Sequence, residues 1–203
     1  MSVDARASQP RRSGLPAILL LAVAAVVVLA LSVGVRHAWL HYQRAAFPLG
    51  YREYVLRYSA QNDLHPAFVF AVIRCESSFD HLAVSEAYAR GLMQITEETF
   101  EWARMRMGDD ENRSFDELFI PEVNIRYGTF ILRLHLERFG GEREALAAYH
   151  AGRASVIRWL ADERFSHDGL TLHTTPGRRT NAYIHNVLRT RDIYLALYDF
   201  GGD

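Results

Sequence analysis

Phe68-Val69-Phe70-Ala71-Val72-Ile73-Arg74-Cys75-Glu76-Ser77-Ser78-Phe79 decides the fold. The run is apolar through Ile73, and Glu76 is a lone carboxylate at its end. Pro66, just upstream, fits the first helical position, with His65 before it as a poor cap. The helix is expected to end near Cys75 and to carry Glu76 at its C-terminal end, with Ser77 and Ser78 directly behind. A carboxyl held against apolar walls is disfavoured in its charged form, so its pKa rises and it can donate a proton near neutral pH. By position alone, Glu76 is equally readable as a solvated helix-terminal residue.

Working outward, Tyr51, Tyr54, Val55 and Tyr58 recur at helical spacing and predict a first domain helix over Leu49–Asn62. From Asp80 to Ile95 helical periodicity fails and Gly91 interrupts, which predicts a loop with at most one small hairpin. Thr96 can cap a helix over Glu97–Met107. Pro121 opens the longest helix, through Phe139, and Gly140-Gly141 stops it. Helices over Glu142–His150 and Arg153–Ala161 flank the Ala151-Gly152 break. A loop with Gly169, Pro176 and Gly177 leads to a last helix over Arg179–Tyr198. The expectation is an all-α domain.

The N-terminus differs in kind. From Gly14 to Val35 there is no charged residue, and roughly 20 apolar residues suffice to cross a bilayer as a helix. Arg6, Arg11 and Arg12 precede the run and Arg36 follows it, so the positive-inside rule puts residues 1–13 in the cytoplasm and the remainder outside. A cleaved signal peptide with a weak site at Ala30-Leu31-Ser32 is the rival reading. The organisation is then a cytoplasmic N-terminus (1–13), a transmembrane signal-anchor helix (14–35), a spacer (36–48) and a catalytic domain (49–200). A cleaved segment would instead give a secreted domain.

The 203 residues leave room for one such domain, and the formal net charge of −1 gives no support for a nucleic-acid partner. Cys75 is the single cysteine, so no intramolecular disulfide can form. No Cys/His cluster has zinc spacing and no HExxH occurs, so no metal or other cofactor is expected.

Five blocks together carry a resemblance: Glu76-Ser77-Ser78-Phe79; Ala83-Val84-Ser85-Glu86-Ala87-Tyr88-Ala89-Arg90-Gly91-Leu92-Met93-Gln94-Ile95; Asn124-Ile125 with Gly128; Ala147-Ala148-Tyr149-His150-Ala151-Gly152; and Tyr183 within Thr180–Leu188. In this order and spacing the chain resembles the lytic transglycosylases with a soluble-lytic-transglycosylase-like (SLT) domain, which cut bacterial peptidoglycan; with the apolar segment, it resembles a membrane-anchored member. The resemblance implies a lysozyme-like fold and glycan strands as substrate. It also implies cleavage of the β-1,4 bond between N-acetylmuramic acid and N-acetylglucosamine, leaving 1,6-anhydro-muramic acid ends. Most glycosidases use two carboxylates; this family uses one, here Glu76, as acid and then as base towards the muramic 6-hydroxyl.

Carried over by position, Ser77 and Ser85 line the cleft, although Ser85 is equally readable as a turn residue. Gln94 offers an amide to sugar groups, Met93 a flexible apolar wall, and Tyr149 a phenol to orient the acetamido group and a ring to stack on a sugar face, with Tyr183 similar but more remote. Gly128 reads as a site of close helix approach. Glu97 and Glu98 read as first-turn acids on a helix dipole, and Glu86 as surface.

Two departures stand out. His150 occupies a position where the family usually has Asn, and its charge can change near neutral pH; it reads as a cleft residue or as a cap at the helix break. Arg179 stands where an acidic residue is usual, either to meet substrate carboxylates or as a plain surface arginine. A lysozyme-type hydrolase using water, and a non-catalytic wall-binding or assembly protein on the same scaffold, are the alternative functions.

Overall fold

In the computed structural model the described residues are 15–109 and 113–201, with side chains from residue 19. The chain divides into two compact units, Met1–Ala46 and Phe47–Asp203. The first consists of α1 (Leu15–Ala46). Its side chains from Leu19 to Val35 are exposed, and the helix is long and apolar enough to cross a membrane. Residues 1–13 and Gly14, assigned above to the cytoplasm and the start of the anchor, lie outside the described residues. In the spacer, residues 36–46 continue the same helix, so they advance ~1.5 Å each.

The second unit is helical, with α2 (Arg52–Gln61), α3 (Pro66–Glu76), α4 (Glu97–Met107), a 3-10 turn (Phe115–Phe119), α5 (Pro121–Phe139), α6 (Glu142–Ala151), α7 (Arg153–Leu160) and α8 (Arg178–Leu197). Helix α3 is its axis. Seven consecutive residues, Ala67 to Ile73, are buried, and each large one contributes ~1.5–3 kcal/mol by leaving water. Helices α8 and α2 pack on it. The Phe70 ring stacks on Tyr194 at 5.5 Å and on Phe200 at 5.8 Å. Helix α5 forms the second spine, against α6, α2 and α4.

Most helix ends follow their punctuation. Thr96 accepts from the Thr99 N–H, and Gly140 takes φ 78° after α5. His65 needs correcting from poor cap to cap, because its Nδ1 accepts from the Ala67 N–H at 3.2 Å. The 3-10 turn was not anticipated, although Ser114-Phe115-Asp116-Glu117 spells a capping box and the structure forms both of its hydrogen bonds.

Between α3 and α4 the described residues form no strand, only isolated bridges pairing Arg90 with Val84 and with Ile95. Four non-glycine residues here have positive φ: Ser78 (53°), Phe79 (69°), Tyr88 (58°) and Gln94 (50°). Each costs ~1–3 kcal/mol, and such strain persists where surrounding structure imposes it, often at functional sites.

Candidate active site

Glu76 is the last residue of α3. Its position follows from the buried run before it, which fixes the helix, and from Ser77, which ends it at φ −133°. The Ser77 hydroxyl donates to the Leu92 carbonyl at 2.9 Å, tying the end of α3 to the loop. The Tyr183 hydroxyl on α8 donates to Glu76 Oε1 at 2.6 Å, and Oε2 has no partner among the described residues. Burial raises the Glu76 carboxyl to about 7, against the lowering effect of the Tyr183 hydrogen bond. No neighbouring charge contributes. The other nearby acids point elsewhere: Asp80 accepts from the Leu82 N–H in its own turn, while Glu86, Glu97 and Glu98 are exposed.

Tyr149 and Tyr183 both lie close enough to the carboxyl to feel its charge. Burial, then the Glu76 charge, pushes both phenols well above their ordinary pKa, so they remain neutral donors. The Tyr149 hydroxyl donates to the Met93 carbonyl at 2.7 Å. The His150 ring lies 4.6 Å from the Tyr183 ring, and its Nδ1 is 3.2 Å from Thr180 Oγ1. Burial, helped by the Arg179 cation, holds His150 below its usual pKa. The residue as a whole is nevertheless exposed. Arg179 itself is exposed.

The structure assigns other roles to part of the expected set. Met93 is corrected from a flexible wall to a core residue: it is fully buried, and a Cβ on Gly128 would stand 2.2 Å from its sulfur. The close approach at Gly128 is thus to a side chain of the loop and not the helix–helix approach expected of it. Gln94 spends its amide N–H groups on the carbonyls of Ala83 (3.1 Å) and Gly91 (2.9 Å), so it braces the loop. Ser85 keeps to its own turn, its Oγ accepting from the Ala89 N–H at 3.1 Å.

Asn124 was quoted only as part of the pattern, and its structural work was missed. Fully buried on α5, it accepts from the Met93 N–H at 2.8 Å and donates to the carbonyls of Arg90 (2.9 Å) and Leu118 (2.8 Å). Gly91, at φ 74°, has no room for a side chain: a Cβ would meet the Asn124 amide at 2.2 Å and the Leu118 carbonyl at 2.3 Å. Arg90 pairs with Asp116 and lies 4.0 Å from the centre of the Phe115 ring. The loop behind the carboxyl is thus held from below by α5 and from the side by the 3-10 turn.

A half-buried, protonatable glutamate thus stands at the end of a central helix in an all-α frame, with two neutral phenols near it and a braced loop behind it. The Transglycosylase SLT domain family matches residues 53–170. The soluble lytic murein transglycosylase of Salmonella typhimurium is 32% identical over 152 residues, covering 74% of this chain and 23% of that protein. The membrane-bound lytic murein transglycosylase C of Pectobacterium atrosepticum is 30% identical over 136 residues, covering 63% and 38%. Among solved structures, the soluble lytic transglycosylase SLT70 of Escherichia coli superposes with a TM-score of 0.68 at 27% identity, covering 76% of this chain and 25% of that one. An inactive Glu-to-Gln mutant of lytic transglycosylase Slt from Pseudomonas aeruginosa gives a TM-score of 0.64 at 30% identity, covering 76% and 26%.

The chain belongs to the SLT-domain transglycosylase family and has its lysozyme-like fold. It spans about a quarter of the length of the soluble relatives it matches.

Proposed function

We propose that the Phe47–Asp203 unit is a peptidoglycan lytic transglycosylase, with Glu76 as its single acid and base. The observation that carries the reading is the Glu76 carboxyl itself. It is raised to about 7 by burial, held at Oε1 by Tyr183, and has Oε2 without a partner. A general acid that must also act as base works best when its pKa lies near the ambient pH.

In this mechanism protonated Oε2 gives its proton to the glycosidic oxygen as the bond to the muramic anomeric carbon breaks. The carboxylate left behind then takes the proton of the muramic 6-hydroxyl while that oxygen closes on the anomeric carbon. The enzyme regains its proton, no water enters, and the product carries a 1,6-anhydro end. Tyr183 holds one carboxyl oxygen fixed through both steps.

The N-terminal segment supports attachment to a membrane, as the name of the Pectobacterium relative states for that protein. Trp39 and Tyr42 lie just past the apolar run of α1, exposed and 5.9 Å apart, as aromatic residues do at a membrane interface. Three arginines before the run and the domain after it favour a cytoplasmic N-terminus and an extracytoplasmic domain.

Mass spectrometry of muropeptides released by the full chain in detergent tests the reading. Anhydro-muramic ends are expected. Reducing ends would make the protein a hydrolase of lysozyme type, and wall binding without cleavage would make it a binding protein.

The pH profile gives a second check. Glu76 must be protonated to begin, so kcat/KM should fall as pH rises through about 7. Tyr183→Phe removes the bond that lowers the carboxyl pKa, so the alkaline limb should move to higher pH. An unmoved limb in a folded variant would remove Tyr183 from control of the acid.

A further inference from the structure

Beside Tyr149, a cavity of about 410 Å³ opens between α4, α5 and the α6–α7 junction. That volume is in the range of small-ligand sites, which are typically ~300–1,000 Å³. Tyr149 on its lining, which feels the Glu76 charge, joins it to the surroundings of that carboxyl; Trp102, His135 and Arg153 form the rest of its chemistry. The mechanism above uses none of these last three.

Their state is unusual for a buried cluster. His135 is 4% exposed, and neither ring nitrogen has a hydrogen-bond partner among the described residues. Its ring stacks against Trp102 at 6.2 Å and meets Tyr149 edge-on at 6.3 Å. Burial, then the Arg153 cation, lowers its pKa to about 4. It therefore stands as a neutral imidazole with one unused donor and one unused acceptor. Arg153 lies 5.2 Å from the centre of the Trp102 ring. Its Nε is buried without a partner, and it makes no ion pair among the described residues. Glu98, the one carboxylate among the lining residues, is exposed and unpaired with Arg153.

Buried polar groups ordinarily find partners. Here a planar cation, which matches a carboxylate through paired N–H groups, and a neutral imidazole share one cavity with an aromatic wall. We propose that this cavity is a subsite for a carboxylate on the muramic arm of the glycan strand, taken by the Arg153 guanidinium and the His135 N–H against Trp102. The proposal rests on the transglycosylase reading and adds to it a recognition element for the arm. The carboxylate has two sources: the stem peptide in intact strands, or the lactyl group in strands stripped of peptide by an amidase. Arg179 is the rival cation, but it is exposed, and contacts between solvated charges are worth little.

The test is equilibrium binding by the full chain in detergent, in a Glu76→Gln background that prevents turnover. The probes are intact strands, stripped strands and chitin oligosaccharides, which carry no arm. Arg153→Met should lower the preference for a muramyl polymer over chitin oligosaccharide by ~10-fold or more, the scale of a charged hydrogen bond. Arg153→Lys should restore part of it, and His135→Phe should lower it by a smaller factor.

Loss on intact strands alone assigns the stem-peptide carboxylate; loss on both muramyl polymers assigns the lactyl group. Equal weakening on all three probes, or no weakening, overturns the subsite and leaves the transglycosylase reading standing. A parent chain that binds none of the three polymers overturns both.

Discussion

Replacing Glu76 by Gln should lower turnover by ~10²–10⁴-fold or more, the scale of a lost general acid–base group, while wall binding persists. The substitution keeps the shape of the side chain and its capacity to accept the Tyr183 hydrogen bond, now made at 2.6 Å. It removes the proton that the leaving oxygen needs and the carboxylate that the 6-hydroxyl needs, so both halves of the reaction fail together. Stability should not fall. A buried carboxyl raised to about 7 is partly ionised at neutral pH, and its amide carries no charge to bury.

The sign of the linkage gives an internal control. The folded state holds the Glu76 proton to higher pH than the unfolded chain does, so the wild type loses stability as pH rises from about 4.5 through 7. The Gln variant should lack that contribution. Product formation is read by quantifying anhydro-muropeptides, and stability by urea unfolding across pH. Cleavage by the variant within a few-fold of wild type would remove Glu76 from the chemistry.

How far the sequence could carry this depended on whether a feature is local. The buried run Phe68–Ile73, the Thr96 cap, Pro121 and Gly140 are decided by neighbours within one turn, and those elements fall within a residue or two of expectation. Glu76 was not legible from its neighbours alone, which leave it readable as a solvated helix end; the order and spacing of the five blocks along the chain singled it out. Ser114-Phe115-Asp116-Glu117 was equally local, and its capping box went unread.

Gln94 and Met93 illustrate the other case. Their neighbours in sequence permit either a cleft or a core role; Met93 is packed into the core against Gly128 of α5, while Gln94, half-buried at positive φ, both braces the loop and lines the cavity beside Tyr149. The Trp102–His135–Arg153 cavity draws single residues from three helices. No spacing rule in the sequence marks them as a group.

Asn124→Leu should destabilise the domain by ~2–6 kcal/mol, a large share of the ~5–15 kcal/mol that holds a domain together. Leucine is close in volume, so the cost comes from the polar groups left behind. The Met93 N–H and the carbonyls of Arg90 and Leu118 each lose a partner at 2.8–2.9 Å, in a position that is fully buried. A stranded buried polar group costs ~1–3 kcal/mol, and two are stranded at once, because the Arg90 carbonyl keeps the Ile95 N–H at 3.2 Å.

The Arg90–Asp116 pair anchors the same loop and gives the comparison. Asp116 is 76% exposed, and an exposed ion pair is worth ~0–1 kcal/mol, so Asp116→Asn should scarcely move the unfolding midpoint. If the loop relied on surface charge instead, the order of the two effects would reverse. Activity should follow stability for Asn124→Leu, because the loop it releases carries the Leu92 carbonyl that fixes Ser77 and the Met93 carbonyl that receives Tyr149. Urea unfolding of both variants at pH 7 decides the matter. A loss below about 1 kcal/mol for Asn124→Leu would mean that the loop finds other partners for both stranded groups, and that Asn124 does not hold the floor of the site.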